Sequence, residues 1–410
     1  MNVKTSNRFR WVFCQLEVLR HCLPSSVKLF LEELPESLDG TYERILREII
    51  KPNRGHAHRL MQCLVAAVRP LRVKELAEVL AFDFDVEGIP KLNPRWRWED
   101  HEEAVMSACS SLVMIVKDGE SRVVQFSHFS VKEFLTANRL ADPIRDVSQF
   151  HIRHVAAHTI LSQACLGVLL RLDDSIDREK IENFPLARYA AEYWPTHARV
   201  ENVSSRIKDG MECLFDADKP HFATWLWIYN EDSHDSMSTT CPENPKAVPL
   251  YYAARLGFRD LAEHLIASNP EHVNARAHNV QKLAPMHVAA QFQHDDILSL
   301  LLENGADPEG EDAYIMTPLH RASWRGTLEA VRCLLDHGAN IKARDRDGWT
   351  PLHCAVHEKN RIQVVRLLLE RGADVNARDK YGKTPSRHAV GNAEQEVVEL
   401  LSKYGAKSVE

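Results

Sequence analysis

A mostly α-helical chain whose C-terminal third is a solenoid of stacked helix pairs is predicted by three observations. The first is a recurring block: Thr317-Pro318-Leu319-His320 returns after 33 residues as Thr350-Pro351-Leu352-His353. The frame extends back to Ala284-Pro285-Met286-His287, forward to Thr384-Pro385, and further back to a divergent copy at Val248-Pro249-Leu250. The second is an apolar segment at helical spacing after each block, as in Val331, Leu334, Leu335 or Val364, Val365, Leu367, Leu368. The third is a Gly-Ala stop after each such segment, at Gly305, Gly338, Gly372 and Gly405. Units of this period bury their faces only by stacking, and five copies exceed the roughly three that a stack needs.

Within each copy the chemistry follows from helix ends. Thr350 sits where a hydroxyl can accept an orphan backbone N–H, and Pro351 suits the first helical position, whose N–H has no partner anyway. Small residues follow at Ala253-Ala254, Ala289-Ala290, Ala322-Ser323 and Ala355, letting the paired helix come close. Glycine after the second helix supplies a left-handed stop. Asp345-x-x-Gly348 and Asp379-x-x-Gly382 then make tight turns in the connecting fingers. With its T-P-L-H-x-A core this segment resembles the ankyrin repeat, which implies a protein-binding solenoid at 245–410 with motif starts near 248, 284, 317, 350 and 384. Ser386-Arg387 replaces the leucine and histidine in the last copy, as expected of a terminal repeat with one neighbour. In the first copy Tyr251 stands at the motif histidine position, and extra residues follow from Asn274 to Lys282.

Composition narrows the class. With 44% hydrophobic residues, 27% charged residues and a net charge of −7 over 410 residues, the chain reads as globular. That charge disfavours a general nucleic-acid or membrane-surface binder. Nine scattered cysteines without a C-x-x-C pair point to neither a disulfide framework nor a zinc site. No apolar run approaches a membrane span, and Met1–Thr5 lacks an apolar signal core. A soluble, cytoplasmic protein without a cofactor is expected.

The region before the repeats has its own pattern. Helices are expected at Phe9–Cys22, Ser26–Leu34 and Leu38–Ile50, then at His58–Val68, Val73–Leu80 and Asp100–Leu112. Two β-rich runs, Val113–Lys117 and Arg122–Ser127, flank Asp118-Gly119-Glu120, a strong hairpin signal. Three helices and a β-wing predict a winged helix at 57–141. From 60 to 140 there are ten Lys/Arg against twelve Asp/Glu, a net of −2. Duplex binding gains from a basic footprint, which is missing here. Arg95-Trp96-Arg97-Trp98 reads as an amphipathic loop packing on this domain.

A second resemblance rests on longer strings. Leu38-Asp39-Gly40-Thr41-Tyr42-Glu43-Arg44-Ile45-Leu46, then Arg69-Pro70-Leu71 with Glu75-Leu76, then Phe126-Ser127-His128-Phe129-Ser130-Val131-Lys132-Glu133-Phe134-Leu135 resemble the segment after the NACHT domain in fungal NACHT-ankyrin proteins. Those are NOD-like signal-transduction ATPases. Phe184–Trp194 resembles their helical linker, implying a linker at 142–244 and a post-NACHT helical segment at 1–56. No phosphate loop is present: at Gly382-Lys383-Thr384 the first glycine position holds Ala377, and Pro385 follows. The resemblance is thus to the regulatory and recognition part of such a protein, with a NACHT ATPase domain acting in trans as one partner. By the same resemblance His128 would sense nucleotide when that ATPase domain is present, although Phe129 stands where the plant motif has aspartate.

Other candidates are weighed on the residues themselves. His151, His154 and His158 share a helical face at metal-binding spacing, but nothing acidic or thiol-bearing flanks them, and the helix reads as amphipathic. No catalytic motif appears, so no enzyme is expected. Pro285, His287, Thr317, Pro318, His320, Thr350, Pro351, His353, Thr384 and Pro385 are read as structural, the histidines bridging neighbouring units. A protein partner is expected on the concave face, met by Phe292, Trp324, Arg325 and His357 late in the first helices. Tyr314, Met316, Arg346, Asp347, Trp349 and Tyr381 would meet it from the fingers.

Overall fold

The computed structural model describes residues 37–407 apart from 87, 232–246, 279–280 and 392–394. The helices expected at Phe9–Cys22 and Ser26–Leu34 lie outside these residues. The chain divides into two compact units. The first runs to Leu214 and resumes at Lys219; the second takes Phe215–Asp218 and the described residues from Ala247 onward.

In the first unit, α1 (Leu38–Glu48) starts at Ser37, whose hydroxyl oxygen accepts the Gly40 N–H at 3.1 Å. Next come α2 (Arg54–Ala66), β1 (Leu71–Arg72), α3 (Val73–Glu78) and α4 (His101–Cys109), then a hairpin of β4 (Val113–Asp118) and β5 (Ser121–Phe126). The antiparallel sheet has the order β1-β5-β4, with Val124 opposite Leu71 on one side and Ile115 on the other. Three helices and a wing are therefore present. A short ribbon, β2 (Phe82–Asp83) with β3 (Lys91–Leu92), is inserted between α3 and α4.

Beyond α5 (Phe129–Thr136) lie α6 (His154–Leu169), α7 (Ala187–Ala198), α8 (Lys208–Leu214) and α9 (His221–Glu231). The expected amphipathic character of α6 is corrected here. Its residues Ala157–Thr159, Leu161, Ser162 and Ala164–Leu169 are buried on all sides, so it is a central core helix packed against α2, α7 and α8. Small residues make this possible: a Cβ on Gly167 would stand 2.7 Å from the Phe82 ring and from the Pro90 carbonyl. Glu78, buried at the end of α3, accepts the Leu186 N–H at 2.7 Å and pairs with Arg97, tying the winged helix to the start of α7.

The second unit holds five helix pairs among the described residues. They are α10 (Pro249–Leu256) with α11 (Arg259–Ser268), α12 (Pro285–Phe292) with α13 (Asp295–Glu303), and α14 (Pro318–Arg325) with α15 (Leu328–Asp336). Then come α16 (Pro351–His357) with α17 (Ile362–Glu370), and α18 (Pro385–Gly391) with α19 (Gln395–Lys403). First helices stack on first helices and second on second. After the second helices, the left-handed glycines at 305, 338, 372 and 405 let the next N–H reach back five residues, as from Ala339 to the Leu334 carbonyl at 3.0 Å.

Candidate functional site

The motif histidines set the geometry of the repeat face. His320 Nδ1 accepts the Thr317 N–H at 3.1 Å, which leaves its proton on Nε2, and Nε2–H donates to the Trp349 carbonyl of the next finger at 3.1 Å. His287 repeats this with Ala284 and the Met316 carbonyl, and His353 with Thr350 and the Lys383 carbonyl. Burial pushes all three imidazoles down to about 4. In a capping box a glutamate normally reaches back to the N-cap; a neutral imidazole does so here and bridges two repeats as well.

The second, third and fourth fingers each turn on an aspartate, with Asp312 and Asp379 buried and Asp345 half-buried. Asp345 accepts the Asp347 and Trp349 N–H groups at 2.9 and 2.8 Å, and Asp379 does the same for Tyr381 and Lys383. The turn glycines Gly348 and Gly382 have φ of 75° and 76°; Ile315 takes the same place at 61°. Nine residues on, the first helix supplies a side-chain partner: Arg321 to Asp312 at 2.8 Å, and His388 to Asp379 at 3.0 Å. Burial alone would raise the Asp379 carboxyl, but His388 and the turn N–H groups hold it below the usual carboxylate range. In the fourth repeat that place is held by Cys354, and burial raises Asp345.

Between these fingers and the first helices lies a strip of half-exposed rings. Trp324 stacks on Trp349 with centroids 6.0 Å apart and planes at 23°. His357 packs on both, at 5.3 and 4.9 Å, and His388 meets Trp349 edge-on at 4.9 Å. Exposed Phe292 lies between the guanidinium groups of Arg255 and Arg325, at 5.6 and 5.9 Å. Arg346 covers exposed Tyr314, Lys380 covers Tyr381, and Asp347 pairs with Lys380. Met316 does not join this surface: its side chain is buried, because its N–H closes the Asp312 turn and swings the chain inward. His388, passed over in the sequence, is detectable in retrospect by its spacing of nine residues from Asp379, the spacing of Arg321 from Asp312.

In the first unit His128 caps α5. Its Nδ1 accepts the Ser130 N–H at 3.3 Å and lies 2.6 Å from the Ser130 hydroxyl, which in turn bonds Tyr42 at 2.9 Å. His154 and His158 do come together, but with His197 rather than His151. His158 bonds His154 at 3.1 Å and His197 at 2.9 Å, and His197 bonds Tyr189 at 2.9 Å. Burial lowers both His158 and His197. Among the described residues no cluster of three or more His, Cys, Asp or Glu is set to hold a metal. Trp96 and Trp98 stay about half exposed beside a cleft of about 660 Å³ lined by Arg59 and Phe84, instead of packing down on the domain. No helix among the described residues is long and apolar enough to cross a membrane.

Residues 217–312, 250–345 and 319–409 match the family described as ankyrin repeats, in three overlapping copies. Residues 45–150 match the GPI inositol-deacylase winged helix domain. Ankyrin repeats and a winged helix are both present in this chain. Over 302 residues it is 31% identical to the azaphilone pigments biosynthesis cluster protein L of Monascus ruber, covering 69% of this chain and 62% of that protein. Over 92 residues it is 29% identical to the E3 ubiquitin-protein ligase XB3 of Oryza sativa subsp. japonica, covering 22% of this chain and 20% of that one. The chain thus spans less than two thirds of the length of either relative. Ankyrin repeats point to a non-catalytic module that binds a protein partner.

Proposed function

We propose that this chain is a recognition scaffold whose ankyrin repeats hold a protein partner on the strip formed by Trp324, Trp349, His357 and Phe292, with Tyr314 and Tyr381 at the finger tips. The stacked pair Trp324–Trp349 carries the reading. Two large rings are left partly exposed on a rigid frame, where a partner can complete their burial at little entropic cost. Ile315 supports it: a β-branched residue held at a left-handed φ on an exposed finger tip is strain without a folding benefit. The test is capture of an interacting protein by the full chain, its identification, and measured binding to a folded Tyr314→Ala/Trp324→Ala/Trp349→Ala variant. Loss of binding supports the assignment; equal affinity moves the site elsewhere.

A second reading joins this recognition half to nucleotide-driven signalling. Here the winged helix and the helices after it are the regulatory part of a NOD-like protein, acting with a NACHT ATPase domain in trans, and His128 senses its nucleotide. The position of His128 at the N-terminus of α5, where anions are favoured, supports it. Mixing the chain with such an ATPase domain should slow ADP release, and His128→Ala should abolish the effect. Unchanged release would remove this reading.

A further inference from the structure

Charge is sorted across the ankyrin unit. The five second helices carry ten Asp/Glu against four Lys/Arg. The third and fourth fingers lean the other way, with Lys342, Arg344, Arg346, Arg378, Lys380 and Lys383 against Asp345, Asp347, Asp374 and Asp379, while the second finger between them and Arg276 is acidic. Across the fingers Arg276, Arg344, Arg346, Arg378 and Lys383 are exposed, and among the described residues none of them forms an ion pair. The guanidinium groups are instead steered by carbonyls: Arg344 donates to Gly348 and Arg378 oxygens at 3.0 and 2.6 Å, Arg378 to Gly382 at 3.1 Å, and Arg346 to Ala313. Such bonds orient a cation without neutralising it. In the third and fourth fingers the acids are mostly engaged: Asp345 and Asp379 accept turn N–H groups, Asp347 is taken by Lys380 and Asp374 accepts the Asn376 N–H, whereas Asp307, Glu309 and Glu311 of the second finger are exposed.

The fingers also form one continuous row. The Ala313 N–H donates to the Gln281 carbonyl, Arg346 to Tyr314 and Lys380 to Asp347, at 2.9, 3.0 and 3.0 Å. Four fingers at helix-packing separations of 8–10 Å span roughly 27 Å. That is the reach of about eight extended residues.

Resting on the recognition reading above, we propose that the partner segment is acidic: a stretch of extended polypeptide, rich in Asp and Glu and bearing large apolar residues, laid across the fingers. Its carboxylates meet Arg276, Arg344, Arg346, Arg378 and Lys383, and its apolar side chains meet Tyr314, Ile315 and the Trp324–Trp349 strip. Arginines already aimed by carbonyls lose little freedom on pairing and offer two parallel N–H bonds to a carboxylate. A nucleic acid suits the surface less well. Its phosphates are continuous, whereas the row is broken by apolar tips and by exposed Glu311, and the acidic second helices lie on the same unit.

The experiment titrates the full chain into a labelled nine-residue peptide alternating Glu and Leu, and into its Lys/Leu counterpart, by fluorescence anisotropy at 50 and 200 mM salt. A preference of at least tenfold for the glutamate peptide, weakened by salt, is expected. Arg344→Glu/Arg346→Glu should abolish that preference, and Arg276→Glu/Lys383→Glu, which leaves the carbonyl bonds of Arg344, Arg346 and Arg378 in place, should reduce it at least fivefold. Equal binding of the two peptides overturns the proposal, as does a duplex DNA oligonucleotide binding more tightly than the glutamate peptide. If the identified partner needs Trp324 and Trp349 but tolerates both charge reversals, the recognition reading stands and the acidic-segment proposal fails.

Discussion

Trp324 and Trp349 belong to different structural elements, a first helix and a finger, yet their rings stack at 6.0 Å. The His320 bridge to the Trp349 carbonyl sets that distance, since it locks the finger to the helix that carries Trp324. Trp324→Ala is therefore expected to weaken partner binding by about 2 kcal/mol, roughly thirtyfold, as removal of a central aromatic anchor does. Calorimetry with the identified partner, beside an unchanged circular dichroism spectrum, checks it.

His320→Ala should act on stability. It orphans the buried Thr317 N–H and the Trp349 carbonyl, and each such group costs about 1–3 kcal/mol. A urea midpoint within error of the parent chain would show that water takes over both bonds.

Acid should loosen both units. His287, His320 and His353 are held near 4 in the folded chain, against about 6.5 for a free imidazole. The unfolded chain therefore binds more protons between those values, so stability is full above about pH 6.5 and is lost as pH falls toward 4. His158 and His197, lowered by burial, add to the same trend. Urea midpoints from pH 7.5 to 4.5 should fall steadily; a flat profile down to pH 5 would contradict this.

Ile315→Gly should raise stability by about 1 kcal/mol, because it relieves a β-branched residue at φ 61° where neighbouring fingers use glycine. The same change should weaken partner binding if that strained tip is kept for contact. Thermal melting and the binding assay together separate the two effects.

Gly167→Ala addresses the first unit. The added methyl would stand 2.7 Å from Phe82 and the Pro90 carbonyl inside the core around α6, a crowding expected to cost about 1–3 kcal/mol. A melting temperature at or above the parent value would mean that β2 and β3 yield freely.

Much of the fold was legible because it is written locally. The proline at each first-helix start, the Gly-Ala stops and the Asp-x-x-Gly turns each act within a few residues, so their spacing reads directly as ankyrin architecture. The wing was legible for the same reason: Asp-Gly between two β-branched runs is a short-range signal. What misled was side-chain direction in irregular backbone. Met316 sits in a finger beside exposed Tyr314 and Ile315, yet the Asp312 turn sends it into the core.

By itself, the sequence determined the repeat period, the proline start of each repeat's first helix and the histidines at the N-terminal turns, since hydrogen bonds to the nearest backbone impose all three. Only the tertiary structure decided which residues meet across those units. His388 reaches Asp379, His197 completes a chain with His158 and Tyr189, and α6 is enclosed on every side because three other helices converge on it. Those contacts join residues distant in the chain or set by how one helix rolls against the next, and a linear pattern records neither distance nor roll.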